Sequence, residues 1–207
     1  IYPDQFIPVL EKNGYVIDVD NFIWNKVCAC IKMMEDKGIE PVPISVNVSR
    51  MHVYQEKFTE NLKNMAGEYG IDPKYIPLEI TESAFTKEEG SLFKKVQSLQ
   101  GYGFKFSMDD FGSGYSSLGM LKSERVDEVK IDKTFVDDIA TDKGKVLLGN
   151  VIRMINELGI DMIAEGVETK EQADFLKENG CMYAQGYYYY KPMPIEEFAK
   201  LLENSAR

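Results

Sequence analysis

The chain alternates between two hydrophobic patterns for most of its length. Short apolar runs rich in β-branched residues, such as Val42–Val48 (VPISVNV), predict buried strands. Longer stretches follow in which apolar residues recur every three or four positions, as Phe58 and Leu62 do in Glu56–Tyr69, and this spacing predicts amphipathic helices. The predicted strands are 42–48, 76–81, 104–109, 128–132, 161–165 and a short one near 183–187, and the predicted helices are 3–12 and 19–36, which Gly14 and Gly38 end, then 56–69, 87–100, 145–158 and 171–178.

Repeated strand–helix units imply a parallel sheet, which forms either an open doubly wound sheet or a (β/α)8 barrel. The positions of the glycines in the sequence favour the barrel. An open dinucleotide-binding sheet has a GxGxxG turn after an early strand, whereas Gly112-Ser113-Gly114 follows a mid-chain strand and lacks the third glycine. Because such a barrel usually takes about 250 residues, six strands in 207 residues predict one domain over residues 1–207, an α/β TIM-like barrel without its first strands.

Composition narrows the possible functions. A formal net charge of −10 argues against a DNA-binding surface, which needs clustered Lys and Arg, but allows a small phosphate ester if metal ions bridge the charges. His52 is the only histidine, which disfavours a His-rich zinc site or a Ser-His-Asp triad. Cys28, Cys30 and Cys181 suggest no disulfide framework, and we expect free, mostly buried thiols. Since no apolar run approaches the roughly 20 residues of a membrane helix, we expect a soluble, cytoplasmic domain without membrane contact.

Every predicted strand ends at a polar side chain. In chain order these residues are Asn47, Glu79, Asp109 with Asp110, Lys130, Glu165 and Gln185. The carboxyl ends of parallel barrel strands meet at one mouth, so we expect these groups to be neighbours in space. Oxygen donors without thiolate or imidazole suit Mg²⁺ or Mn²⁺. A two-metal site of this kind suits phosphodiester hydrolysis, because it generates hydroxide and offsets charge on the attacking and leaving oxygens.

The two adjacent aspartates need a change of chain direction to share a metal site. Neighbouring residues of a strand point to opposite faces of the sheet. Asp109 and Asp110 are predicted at the strand end, where the chain turns at Phe111-Gly112. We therefore expect this terminal turn to let both carboxylates reach the metal ions.

Each of these residues also has a purely structural interpretation. A single glutamate at a strand end, such as Glu79, is more often a helix cap or a solvated rim group. Asp109-Asp110 could begin a turn, Lys130 could be a paired buried lysine, and Glu165 could mark a strand exit. The run Tyr187–Tyr190 is expected to serve barrel packing and rim rather than base stacking. Their joint occurrence at strand ends favours the catalytic interpretation.

These residues lie within segments that resemble the EAL phosphodiesterase family. The segments are FIPVLEKNGYVIDVD, SVNVS, LEITES, DDFGSGYSSL, VKIDKTFV, AEGVET and YAQGYYYYKPMP. Their order and spacing match the family over essentially the entire chain. The resemblance implies an EAL-type (β/α)8 barrel, with one antiparallel strand, that hydrolyses cyclic-di-GMP to linear pGpG with Mg²⁺ or Mn²⁺ in bacterial second-messenger signalling.

The resemblance also implies individual roles. Metal ligands are implied for Asn47, Glu79, Asp109 and Asp110, and Lys130 resembles the lysine beside the nucleophilic water. Glu165 resembles the essential glutamate, either general base or ligand of a second ion, and Gln185 its neighbour in the metal and water shell. Glu82 resembles the glutamate that holds the DFGSGYSS loop, which joins dimerisation to catalysis in the family. A homodimer is therefore expected for the intact protein, and GGDEF or sensory domains are candidates for the rest of a parent chain.

One departure from the family pattern bears on activity. The Glu-Ala-Leu sequence that names the family, with its metal-binding glutamate and a nearby phosphate-contacting arginine, is expected before Ile1. The 207-residue fragment is therefore expected to be inactive or weakly active alone. We expect the intact domain to be an enzyme, because every catalytic position present matches the active pattern. Two alternatives stay open, a non-catalytic cyclic-di-GMP receptor and a protein-interaction module of the same fold.

Overall fold

The computed structural model describes residues 3–81, 89–112, 121 and 126–205. The helices are α1 (Pro3–Asn13), α2 (Val16–Asp36), α3 (Arg50–Val53), α4 (Phe58–Tyr69), α5 (Glu89–Gln100), α6 (Lys133–Asp137), α7 (Asp142–Glu157), α8 (Lys170–Glu178) and α9 (Ile195–Ser205). The strands are β1 (Val46–Asn47), β2 (Leu78–Thr81), β3 (Phe106–Phe111), β4 (Glu128–Ile131), β5 (Asp161–Ala164) and β6 (Tyr183–Ala184). Short 3₁₀ turns lie at Pro73–Tyr75 and Asp138–Ala140. The described residues form two compact units.

The first unit contains residues 3–80, 89–105 and 193–205. Its strands β1 and β2 are parallel neighbours, with Asn47 opposite Glu79 in the register. Helix α4 ends at Gly70, whose φ of 66° is a left-handed conformation that glycine adopts without a Cβ clash. The core of this unit comes from helix faces and strand residues and includes Trp24, Ile31, Met34, Phe58, Leu62, Ile76, Leu78, Leu92 and Leu99, all nearly inaccessible to solvent.

The second unit contains residues 81, 106–112, 121 and 126–192. Strands β3, β4, β5 and β6 are parallel and adjacent in chain order. Helix α7 covers them with Leu148, Ile152 and Ile155, which share one face of the helix and are fully buried. The chain enters α8 through a capping box, in which Thr169 and Gln172 satisfy each other's backbone N–H groups. This cap sets the direction of the chain just after β5.

Each of the six predicted strands is present, so the predicted sequence of strands is confirmed. Most are shorter than predicted, because an apolar run can extend beyond the residues that pair with a neighbouring strand. Helices α3 and α6 were not predicted, since four and five residues are too few to display a helical period. Helix α9 was missed although Ile195, Phe198 and Leu202 carry the period and Pro194 precedes it.

The cysteines behave as predicted. Cys28, Cys30 and Cys181 are free and buried. Burial raises the pKa of the Cys28 thiol to about 11 and that of Cys181 likewise to about 11.

Within the described ranges, no helix combines the length and apolar character needed to cross a bilayer.

Candidate active site

A buried lysine forms the centre of the site in the second unit. Lys130, on β4, is 5% exposed. Its Nζ lies 2.5 Å from Glu165 Oε1 and 3.9 Å from Asp109 Oδ1. A charged amine is rarely buried without an opposite charge. The structural interpretation of Lys130 as a paired lysine is therefore correct, and its partners are two of the predicted site residues.

Glu165 receives a second donor at the same oxygen. Gln185 Nε2 donates a hydrogen bond of 2.6 Å to Glu165 Oε1. One carboxylate oxygen thus contacts both an ammonium and an amide group, an arrangement that fixes the plane of the carboxylate. Within the part of the chain that the structure describes, Glu165 Oε2 has no hydrogen-bond partner. Glu165 is therefore held by one oxygen and presents the other.

Backbone pairing places these three side chains together. Lys130 lies opposite Ile163 in the parallel register of β4 and β5, and Glu165 follows β5 directly. The Glu165 amide donates to the Ile131 carbonyl at 3.0 Å, and the Gln185 amide donates to the Ala164 carbonyl at 2.8 Å. These bonds continue the sheet ladder past the ends of the strands. The residues at the carboxyl ends of β4, β5 and β6 consequently converge, as expected for parallel strands.

Strand β3 contains a bulge at the two aspartates. Met108 lies opposite Val129 and Phe111 opposite Ile131, so β3 advances three residues where β4 advances two. Asp110 has a φ of 56°, the only positive value among the described residues other than glycine. Its amide donates to Asp109 Oδ1 at 3.0 Å. Asp109 and Asp110 lie among the last three residues of β3, and the bulge changes the direction of the chain between them before the turn at Gly112.

The loop after β5 depends on one glycine. Gly166 has a φ of 68°, and a Cβ at this position would lie 2.6 Å from Lys133 Cδ and 2.7 Å from Lys133 Cβ. Lys133 crosses here to pair with Glu168, and that hydrogen bond raises the pKa of the Lys133 ammonium. A side chain at position 166 would therefore force either Lys133 or the segment that carries Glu165 to shift.

The first unit contains two further predicted residues, described here by themselves. Asn47 and Glu79 are register partners on β1 and β2, so their side chains lie next to each other on one face of the strand pair. Glu79 is 5% exposed, whereas Asn47 is exposed. Glu82 lies outside the described residues, as does most of the DFGSGYSS segment.

The donor set is of the right chemical kind for a hard divalent cation. Asn47, Glu79, Asp109 and Asp110 offer only carboxylate and amide oxygens, the ligands that Mg²⁺ and Mn²⁺ prefer. Across the described ranges, no three His, Cys, Asp or Glu side chains are grouped closely enough to enclose an ion. The fit to Mg²⁺ or Mn²⁺ therefore rests on donor chemistry, and the ligand roles stay predictions.

The tyrosine run does not pack in the interior. Tyr187, Tyr188, Tyr189 and Tyr190 are between 42% and 61% exposed, so they are surface residues, and the packing part of the expectation is wrong.

Sequence reasoning also missed the contacts that Trp24 and Asp20 of α2 make with the β1 segment. The sequence placed both residues only within the predicted helix 19–36, because a periodicity does not identify the partner of a polar atom.

Comparison with known proteins identifies the family. The sequence model of the EAL domain family matches residues 1–192. The signaling protein YkoW of Bacillus subtilis is 34% identical over 201 residues, which cover 97% of this chain and 25% of that protein. The probable cyclic di-GMP phosphodiesterase PdeG of Escherichia coli is 33% identical over 203 residues, which cover 98% of this chain and 40% of that protein. Among solved structures, the PaMucR phosphodiesterase in complex with c-di-GMP matches with a TM-score of 0.90 and 31% identity, over 96% of this chain and 81% of that chain.

The chain belongs to the EAL domain family. The family membership and the EAL-type α/β fold predicted from the sequence are thereby confirmed. The chain spans 25% of YkoW and 40% of PdeG, well under two thirds of either relative.

Proposed function

We propose that the protein is a metal-dependent phosphodiesterase that hydrolyses cyclic-di-GMP to linear pGpG. The observation that carries the proposal is the anchoring of Glu165 Oε1 by Lys130 Nζ at 2.5 Å and Gln185 Nε2 at 2.6 Å. The substrate is inferred from PdeG, which is named a probable cyclic di-GMP phosphodiesterase, and from the c-di-GMP complex of PaMucR.

Glu165 Oε2 is the atom that we propose as the proton acceptor. A carboxylate whose orientation is held at one oxygen presents its second oxygen with little freedom, which is the requirement for a general base within hydrogen-bond reach of water. In the proposed reaction Glu165 Oε2 takes a proton from the attacking water. The hydroxyl oxygen bonds to phosphorus, one ester P–O bond breaks, and the departing sugar oxygen takes up a proton. Lys130 holds Glu165 throughout and provides positive charge beside Asp109.

Asn47, Glu79, Asp109 and Asp110 would hold Mg²⁺ or Mn²⁺, which when bound activates water and neutralises charge on the phosphodiester. The bulge in β3 supports this assignment, because it changes the direction of the chain between adjacent aspartates. Glu82 is proposed to act indirectly, through the DFGSGYSS segment. The resemblance further supports a homodimer and companion GGDEF or sensory domains in a cytoplasmic signalling protein.

The experiment compares turnover with binding in Glu165→Gln, made in the full-length parent protein. The amide keeps the size of the side chain but cannot accept a proton, so turnover should fall about 10²–10⁴-fold. Affinity for cyclic-di-GMP should stay within about tenfold, because the lost charge acts mainly in the transition state. Glu171→Gln is the matched control: Glu171 lies on α8 with a side chain 74% exposed, and it should keep wild-type turnover.

Three outcomes separate the candidate functions. Wild-type turnover in Glu165→Gln would refute the catalytic role. A full-length wild-type protein that binds cyclic-di-GMP but releases no pGpG under Mn²⁺ would be a receptor instead. A folded wild-type protein that binds no cyclic-di-GMP would be an interaction module.

A further inference from the structure

Helix α2 carries a cluster of buried polar and aromatic side chains that faces the end of β1. Asp20 is 7% exposed, Trp24 is 2% exposed, and the only histidine of the chain, His52 on α3, is 2% exposed. The rings of Trp24 and His52 are 4.4 Å apart between centroids. His52 Nε2 lies 3.3 Å from Asp20 Oδ2, close enough for an ion pair when protonated but not aligned as a hydrogen bond.

Both α2 residues contact the backbone of the segment that follows β1. The Trp24 indole Nε1–H donates to the Asn47 carbonyl at 3.0 Å. Asp20 Oδ2 accepts from the Ser49 amide at 3.2 Å. Between these two bonds the Val48 amide donates to the Glu79 carbonyl at 2.9 Å. Three consecutive residues, 47 to 49, are therefore anchored from two sides.

A buried carboxylate at position 20 is poorly explained by packing alone. Removing a carboxylate from water is costly, and an apolar side chain of similar volume usually stabilises a core at least as well. The described contacts of Asp20 are directed to Ser49 and His52, at the start of α3. The Ser49 side chain makes no capping hydrogen bond to α3, so Asp20 fixes this helix start from outside.

We propose that Trp24 and Asp20 are positioning residues for Asn47, holding its main chain so that its side-chain amide is directed at a bound divalent cation. The inference rests on the proposed function, which assigns Asn47 to the metal. Groups that orient a ligand typically change metal affinity about 10–100-fold when removed. Trp24 donates its hydrogen bond to the carbonyl of Asn47 itself, so it acts directly on the residue that is proposed to bind the metal.

The test measures the Kd of the full-length protein for Mn²⁺ alone by titration calorimetry, with thermal unfolding recorded on the same samples. Trp24→Phe keeps an aromatic ring but removes the N–H donor, and Asp20→Ala removes the acceptor. Both should raise the Kd about tenfold. Asp20→Asn keeps an oxygen that can accept from Ser49 and should restore the Kd to within about threefold of wild type.

Met34→Ala is the matched control for loss of stability. Met34 lies on the same helix, is fully buried, and stands ten residues beyond Trp24, roughly 15 Å along the helix axis. It should lower the unfolding temperature and leave the Kd within about threefold of wild type. A purely structural role for Trp24 and Asp20 would make their variants behave like Met34→Ala.

The outcomes distinguish this inference from the proposed function. Equal Kd values in Trp24→Phe and Met34→Ala, with metal binding intact in the wild type, would overturn the positioning role alone. A full-length wild-type protein that binds no Mn²⁺ would overturn both. If Asp20→Ala does not fold, Trp24→Phe against Met34→Ala decides the question, because that substitution retains most of the ring volume.

Discussion

Replacing Lys130 with methionine would test the charge arrangement on which the site depends. The substitution keeps an unbranched side chain of similar length but removes the ammonium that lies 2.5 Å from Glu165 and 3.9 Å from Asp109. Glu165 would keep one described donor, Gln185. We expect Lys130→Met to destabilise the fold and to lower phosphodiesterase turnover, because Glu165 loses its principal anchor.

The magnitude follows from the two distances. With an effective dielectric constant of about 20, the gross attractions are about 7 kcal/mol for the 2.5 Å contact and about 4 kcal/mol for the 3.9 Å contact. Desolvation offsets much of this, and removing one partner of a buried pair typically costs about 3–5 kcal/mol. The Glu165 side chain is 18% exposed, so water can partly solvate it. We therefore expect the lower end of that range, a loss of about 3 kcal/mol in the free energy of unfolding. For a chain of 207 residues this corresponds to a fall in Tm of about 6–12 °C.

A double-mutant cycle isolates the pair. Free energies of unfolding would be measured in urea for Lys130→Met, Glu165→Gln and the double variant, and the coupling energy should be about 1–3 kcal/mol. Lys145→Met is the surface control, since Lys145 pairs with Glu171 at 3.5 Å with side chains 43% and 74% exposed. Its effect should be about 0–1 kcal/mol.

Two results would contradict this reasoning. A coupling energy below about 0.5 kcal/mol would show that Lys130 and Glu165 act independently. A Lys130→Met variant as stable as Lys145→Met would show that the buried ammonium contributes no more than a surface lysine. Either result would remove the electrostatic basis for treating Glu165 as held in place.

Three further predictions concern the glycine after Glu165 and the buried thiols. Gly166→Ala should destabilise the protein by about 2–4 kcal/mol, because it adds left-handed backbone strain and a collision with Lys133. Gly159 has the same φ of 68° but nothing within 4 Å of an added Cβ, so Gly159→Ala should cost only about 1–2 kcal/mol. Equal denaturation midpoints for the two variants would exclude the collision. Cys28 and Cys181, with pKa values raised to about 11 by burial, should resist Ellman's reagent at pH 8 until the chain unfolds, and rapid labelling of the native protein would contradict the burial. Because the unfolded thiols ionise first as pH rises from about 9 to about 11, stability should also fall across that range.

The local pattern of the sequence determined which segments form strands and which polar residues end them. Strands and helices differ in the period of their apolar positions, and that period can be read from neighbouring residues. Lys130, Glu165 and Gln185 were therefore predicted at strand ends, and the motifs around them identified the family. Short helices such as α3 could not be predicted, because one turn contains less than a full repeat of the pattern.

The tertiary structure alone decided which atoms meet. Glu165 is 35 residues from Lys130 and 20 residues from Gln185 in the sequence. Both donors contact the same oxygen of Glu165 because of the register between the strands, which an alternating hydrophobic pattern with a period of two does not specify. The bulge at Asp110 adds one residue to β3 relative to β4, a difference that neither strand specifies separately. Trp24 likewise has the apolar character of a core residue, and only the folded structure shows that its indole N–H donates to the Asn47 carbonyl. Apolar burial is non-directional and leaves a repeating pattern in the chain, whereas a hydrogen bond is directional and depends on where the folded backbone places its partner.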